Sequence, residues 1–203
     1  MGDPDRKSSN IRPEFVRFHY PRHFLLLTCF SVLVGLLSRL HVASVFVSFS
    51  LYGALHASAL ILALRTRLTM SRKCSFIVLA AVLSVVTLQV GIAGRQLSGA
   101  PPGSAAFYSL IGLCAAIGAT SYGTLIRLAG HHSLSARELA PISVGCVIAA
   151  LVGALTVSHV HFLGPWWLAV LWWYAFSGGL WYVDHSRKSG ERTCSGRTPT
   201  PRS

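Results

Sequence analysis

Six long apolar runs, separated by short polar or basic stretches, constrain this chain more than anything else in it. They fall near 23–38, 43–64, 74–93, 105–127, 139–158 and 165–183. Crossing the hydrocarbon of a bilayer takes about 20 apolar residues as a helix, since only a helix or a closed barrel satisfies its own backbone there. Hydrophobic residues make up 52% of the chain and charged residues 12%, too few charges to cover a soluble domain of this size. The sequence therefore predicts an all-α polytopic membrane protein, a bundle of six transmembrane helices. Residues 1–20 form a basic N-terminal segment, 21–185 the membrane domain, and 186–203 a disordered basic tail.

The net charge of +12 would suit a nucleic-acid binder, but its placement argues for membrane topology instead. Arg6, Lys7, Arg12, Arg17 and Arg22 precede the first run. Arg65, Arg67, Arg72 and Lys73 lie between the second and third, and Arg127 and Arg137 between the fourth and fifth. Arg187, Lys188, Arg192, Arg197 and Arg202 follow the sixth. Only Arg39 and Arg95 fall on the other side. Basic loops stay cytoplasmic, so both termini are placed in the cytoplasm, and the expected location is a bacterial inner (plasma) membrane. The basic ends suit anionic lipid head groups, and no aromatic interleaving marks a nucleic-acid site. The basic flank of the first run resembles that of a signal peptide. With no small-residue cleavage site after it, the run reads as a retained helix.

Cys29, Cys74, Cys114, Cys146 and Cys194 contain no CxxC pair, and none lies in an outer loop, so no structural disulfide is expected. The six acidic residues, Asp3, Asp5, Glu14, Glu138, Asp184 and Glu191, all lie in inner segments or at the inner edge. A mid-membrane carboxylate relay and paired-carboxylate catalysis in the outer half are thereby missing. Ser135 and Glu138 fit a capping box at the start of the fifth helix. Asp184 reads as a surface partner of Arg187 and Lys188.

Chemistry-bearing patterns are sparse. Ser48, Tyr52 and His56 recur at i+4 and share one face of the second helix, a polar stripe able to line a cavity or a water path. An ionisable residue within the membrane is a functional hypothesis by default, and the bland alternative is a neutral imidazole bonded to a neighbouring helix. His41, His159 and His161 cluster at the outer face and could hold Zn²⁺ or Cu²⁺ if their loops converge, although H-x-H is a weak pattern. Inner histidines, His19, His23, His131, His132 and His185, read as hydrated interfacial residues. His56 has no partner at matching depth in another helix, which argues against a buried bis-histidine haem; no cofactor is expected.

Small residues recur every four positions at Ala115, Ala119 and Gly123 and again at Gly145, Ala149 and Gly153, ridges that let helices approach closely. Ser177, Gly178 and Gly179 mark a pliable point in the sixth helix. Trp166 and Trp167 at one end of that helix, and Trp181 and Tyr182 at the other, form an aromatic belt. Trp172 and Trp173 lie near mid-membrane. The outer loop at 94–105 divides the chain into two sets of three helices, as inverted-repeat transporters are divided. The one shared pattern, "GLLSRL" against "GTLIRL", is what chance supplies in a Leu- and Gly-rich chain.

The leading functional expectation is a small-solute permease or the membrane subunit of a transport system. A second is a non-catalytic membrane subunit or assembly factor acting through helix packing. The third is a metal-binding membrane protein using the outer histidines. No catalytic motif appears, so an enzyme is not expected. Expected partners are the lipid bilayer and either further copies of the chain or a membrane partner subunit, with no nucleic acid.

Overall fold

The computed structural model describes residues 20–39, 45–63, 69–128, 134–160 and 166–195. Among them the chain is helical without strands: α1 (Tyr20–Arg39), α2 (Val45–Ala63), α3 (Met70–Ser98), α4 (Ala105–Leu128), α5 (Ala136–His159) and α6 (Trp166–Ser195). Four stretches are long and apolar enough to cross a membrane: Tyr20–Leu37, Met70–Ser98, Ala105–Ile126 and Ala136–His159. The apolar part of α2, Phe46–Leu62, is shorter. In α6 the Trp, Tyr, Ser and Gly content of the first half and the charged second half lower its apolarity.

Local sequence sets the helix ends. Thr69 caps α3 by accepting from Arg72 N, and Gly99 closes it in the left-handed region at φ 61°, which a glycine adopts without strain. The capping box expected at α5 is present: Ser135 accepts from Glu138 N, and Glu138 Oε2 accepts from Ser135 N at 2.8 Å. The tail departs from expectation. α6 continues to Ser195, ten residues into the segment read as disordered, and Arg187 is fixed there by Glu138 of α5. Residues 196–203 lie outside the described residues.

Each helix packs chiefly on its sequence neighbours, and α6 closes on α1, so the six form a ring. Neighbours run in opposite directions. A Cβ on Gly35 of α1 would meet Trp166, whereas Tyr20 lies beside Leu180. The ring has two ends, one carrying Arg95 and the α3–α4 loop, the other carrying Arg187 and the first turn of α1. Close approach is set by glycine at two junctions. A Cβ on Gly53 would lie 2.6 Å from Ala80 O on α3, and one on Gly179 would lie 2.8 Å from Ile142 Cγ1 on α5. The pliable Ser177–Gly179 stretch is thus an interhelical contact within an unbroken helix.

The interior is filled from α6. Trp173 and Phe176 are buried with Leu27, Leu60, Tyr122, Ile142 and Cys146. Trp172 stacks on Phe176 at 5.3 Å, and Trp173 meets the edge of Tyr122 at 4.7 Å. These tryptophans, which mid-membrane position alone would give equally to lipid, turn into the ring. Outward-facing Val78, Val82 and Val86 of α3 and Val144, Ile148 and Val152 of α5 give the ring an apolar exterior, as a protein solvated by lipid requires.

Candidate functional site

A cavity of about 420 Å³ occupies the Arg95 half of the ring. Its wall comprises Phe49 and Tyr52 of α2, Ser84 to Arg95 of α3, Phe107 to Tyr122 of α4, Ala150 of α5, and Leu168 to Trp173 of α6. That volume is typical of a small-molecule site. Its floor is tied down by hydrogen bonds. Trp172 Nε1 donates to Ala115 O at 3.1 Å. Tyr122 Oη donates to Ala80 O at 2.7 Å, so the bond from Ser84 at 2.7 Å has Ser84 as donor. Thr87 bonds back to Leu83 O of its own helix. The Ser84, Thr87 and Tyr122 hydroxyls therefore serve the protein, and among the described residues the Arg95 guanidinium is the one charge on the lining, 5.9 Å from the Phe107 ring centroid.

Behind the floor lies a second arrangement. His56 is 0% exposed, and its ring stacks parallel to the Trp173 indole at 4.8 Å. Its Nδ1 lies 2.6 Å from Tyr52 O. A carbonyl only accepts, so Nδ1 carries the hydrogen and Nε2 holds the lone pair. Nε2 has no hydrogen-bond partner among the described residues. His23 of α1 is 1% exposed. Its Nδ1 lies 3.3 Å from Ala59 O, one turn along α2 from His56, and its Nε2 lies 2.8 Å from Ser177 Oγ, one turn along α6 from Trp173. By the same reasoning Ser177 donates to His23 Nε2. Toward the Arg187 end, Tyr20 Oη donates to Leu180 O at 3.2 Å and neighbours the buried Asp184.

The sequence-derived stripe is divided between these two arrangements. Tyr52 lines the cavity, while His56 lies behind the floor; Ser48 is half-buried on α2 and is not part of the cavity lining. Two inner-edge readings are overturned. His23 is buried about one helical turn from the level of His56, because α1 begins at Tyr20 and carries it one turn into the ring. The sequence placed it in the flank of basic and aromatic residues and so found His56 alone. The pair still does not offer iron two open nitrogens, since Ser177 occupies His23 Nε2. Asp184 is buried and not at the surface; it stays within electrostatic reach of Arg187, which also pairs with Glu138, with Nε–Oε1 and Nη2–Oε2 each at 2.6 Å.

Of the outer histidines, His159 is exposed at the end of α5, and His41 and His161 lie outside the described residues. Among the described residues no three metal-ligating side chains converge. The small-residue ridges have distinct neighbours. A Cβ on Gly153 would lie 3.2 Å from Leu168 Cα of α6, one on Gly123 would meet Leu139 of α5, and one on Gly145 would meet nothing within 4 Å. Ala115 and Ala119 are buried in α4, and Ala149 is half-buried in α5. No family model matches the chain, and no characterised protein or solved structure is detectably similar to it.

Proposed function

We propose that this protein is a permease for small, mainly apolar solutes, neutral or singly anionic, with six membrane spans and both termini in the cytoplasm of a bacterial cell. The cavity inside the ring carries the reading. A helix bundle that only fills space has no reason to leave about 420 Å³ open between five of its helices. The solute class follows from the lining. Among the described residues a cation would find no carboxylate there, an anion would find Arg95, and a strongly polar solute would find the Ser84, Thr87 and Tyr122 hydroxyls already bonded to protein.

Uptake of 2-naphthalenesulfonate into proteoliposomes tests this, because its fixed charge makes passive leakage slow. Gly91 lines the cavity and has room for a side chain, its nearest described neighbour being Cys114 Sγ at 3.5 Å. Gly91→Phe is expected to fill the cavity and reduce uptake at least tenfold in a folded protein. Uptake no faster than in empty liposomes, or uptake indifferent to Gly91→Phe, would overturn the reading.

One observation favours a packing subunit instead. Gly145 of α5 faces open space beside exposed Val144 and Ile148, a place where another membrane helix could approach. Native mass spectrometry of protein extracted gently from its own membrane separates the two. A stoichiometric second protein, released by Gly145→Leu, would establish the subunit.

A further inference from the structure

The His56 imidazole is buried, fixed at one nitrogen and bare at the other. Its Nδ1–H is held by Tyr52 O, and its Nε2 lone pair meets no donor among the described residues. Leaving a buried acceptor unpaired is costly, so such a group calls for a reason. It sits one side-chain layer behind the cavity, because Tyr52 and Trp173, which hold it, also line the cavity. His23 has the same tautomer, and its Nε2 is covered by Ser177.

The groups around the pair come from every neighbouring helix. α1 contributes His23 and Tyr20, α4 contributes Tyr122, α5 contributes Cys146, α6 contributes Asp184, and α2 itself contributes Tyr52. α3 presents Ala80 and Ser84 on this side. Of the described residues, His23 lies within electrostatic reach of His56.

We propose that His56 Nε2 is a proton-accepting site behind the cavity floor, backed by His23 and Ser177, and that it links solute movement to proton movement. The linkage rests on the permease reading above; the proton site itself does not. A proton arriving at Nε2 breaks no existing bond, whereas one arriving at His23 Nε2 must first turn the Ser177 hydroxyl away. The resulting imidazolium lies against the face of Trp173, where a cation–π contact offsets part of its burial. Its new N–H lacks an acceptor, so the charged state favours a rearrangement that supplies one. The proton then has a route toward the Arg187 end. Ser177 and His23 lie on that side, one helical turn along from Trp173 and His56, and the proton taken up at Nε2 is released from the same nitrogen once the rearrangement opens it. One proton is taken up and one released, and no electron moves. Histidine thereby fills the role that a mid-membrane carboxylate fills elsewhere.

The test uses the full chain labelled with ¹⁵N-histidine in lipid nanodiscs, titrated from about pH 8 to pH 4. The His56 resonance, assigned by its loss in His56→Gln, is expected to change from a bare to a protonated Nε2. Tryptophan fluorescence is expected to change in the same step. His185→Gln serves as the background, since His185 stacks on Trp181 at 5.6 Å and would add a signal of its own. Trp173→Phe keeps the nitrogen step and removes the fluorescence step, which frees the test from the folding of His56→Gln. A His56 Nε2 that stays bare throughout, or a fluorescence step that survives Trp173→Phe, would overturn the proposal. Uptake of 2-naphthalenesulfonate under a pH gradient separates the two readings. Proton binding without uptake leaves the site and removes the permease. Uptake without proton binding does the reverse.

Discussion

At the Arg187 end, side chains from non-adjacent stretches of sequence hold the helices together. Arg187 grips Glu138 with two bonds at 2.6 Å, His23 joins α2 to α6, and Tyr20 reaches Leu180. At the Arg95 end, the walls are aromatic and aliphatic, the Ser84, Thr87 and Tyr122 hydroxyls are bonded to protein, and Arg95 rests on Phe107 without an acidic partner among the described residues. One end is closed and polar inside; the other is open and apolar inside. A lipid-solvated bundle gains little from burying apolar groups against each other, so helix association rests on packing and interhelical hydrogen bonds. Concentrating those bonds at one end leaves the other end able to hold a cavity without losing the fold.

Trp173 is the boundary between the halves, and its removal is the largest expected effect. It touches His56, Tyr122, Trp172 and Phe176 while also lining the cavity. Trp173→Ala is expected to cost about 3–5 kcal/mol, the range for emptying a packed aromatic site. Thermal unfolding in nanodiscs reads this loss. A shift of only a degree or two would mean that the two halves are not joined through this ring.

Glu138→Gln tests the closed end. The substitution keeps the shape and the capping geometry while removing the charge that holds Arg187. Both side chains are about a quarter exposed, so solvent screens the pair and the expected cost is about 1 kcal/mol. The loss should shrink as salt is raised. Limited proteolysis should cut the last turns of α6 sooner than in the parent protein. Unchanged protection there would mean that α6 is held past Arg187 by something else.

Tyr122→Phe is the corresponding change at the cavity floor. It removes the bond to Ala80 O and leaves the Ser84 hydroxyl to turn to its own helix. The expected cost is about 0.5–1 kcal/mol, read by the same unfolding measurement. A larger loss from this substitution than from Glu138→Gln would reverse the contrast between the ends.

The six helices were legible because each is a long apolar run broken by charge or by Gly and Pro. The α5 capping box was legible because four consecutive residues carry it. Which way each helix faces was not. In α2 only the Ser48/Tyr52/His56 stripe marked a side, and it is His56 of that stripe that meets Trp173; the apolar residues of Val45–Ala63 carry no period that shows it. His23 was hidden by its neighbours: in "YPRHF" it reads as interface, and only the ring closure of α6 on α1 covers it. The cavity has no sequence signal, being the space left between five helices whose residues there are ordinary apolar ones. Arg95 was seen as one of two outer cations, but its place on the cavity wall depends on α3 running to Ser98.

Arg95→Gln has an expected effect on stability no larger than that of Tyr122→Phe, and the sharpest on function. The guanidinium is exposed, pairs with no carboxylate among the described residues, and makes a cation–π contact with Phe107. An exposed contact of that kind is worth about 0.5–1 kcal/mol, so unfolding should move little. Solute selection should move more. As the one charge on the lining among the described residues, Arg95 is what distinguishes an anion from a neutral solute of the same shape. Binding to the purified protein, followed by quenching of Trp172 and Trp173, should weaken about tenfold for 2-naphthalenesulfonate, the loss that removing a partly desolvated charge pair of about 1.4 kcal/mol produces. Binding of the uncharged 2-naphthol should be unchanged. Equal weakening of both would mean that Arg95 shapes the cavity and does not read charge. Equal retention would place the anion elsewhere in the ring, and the open end would then be selective by apolar fit alone.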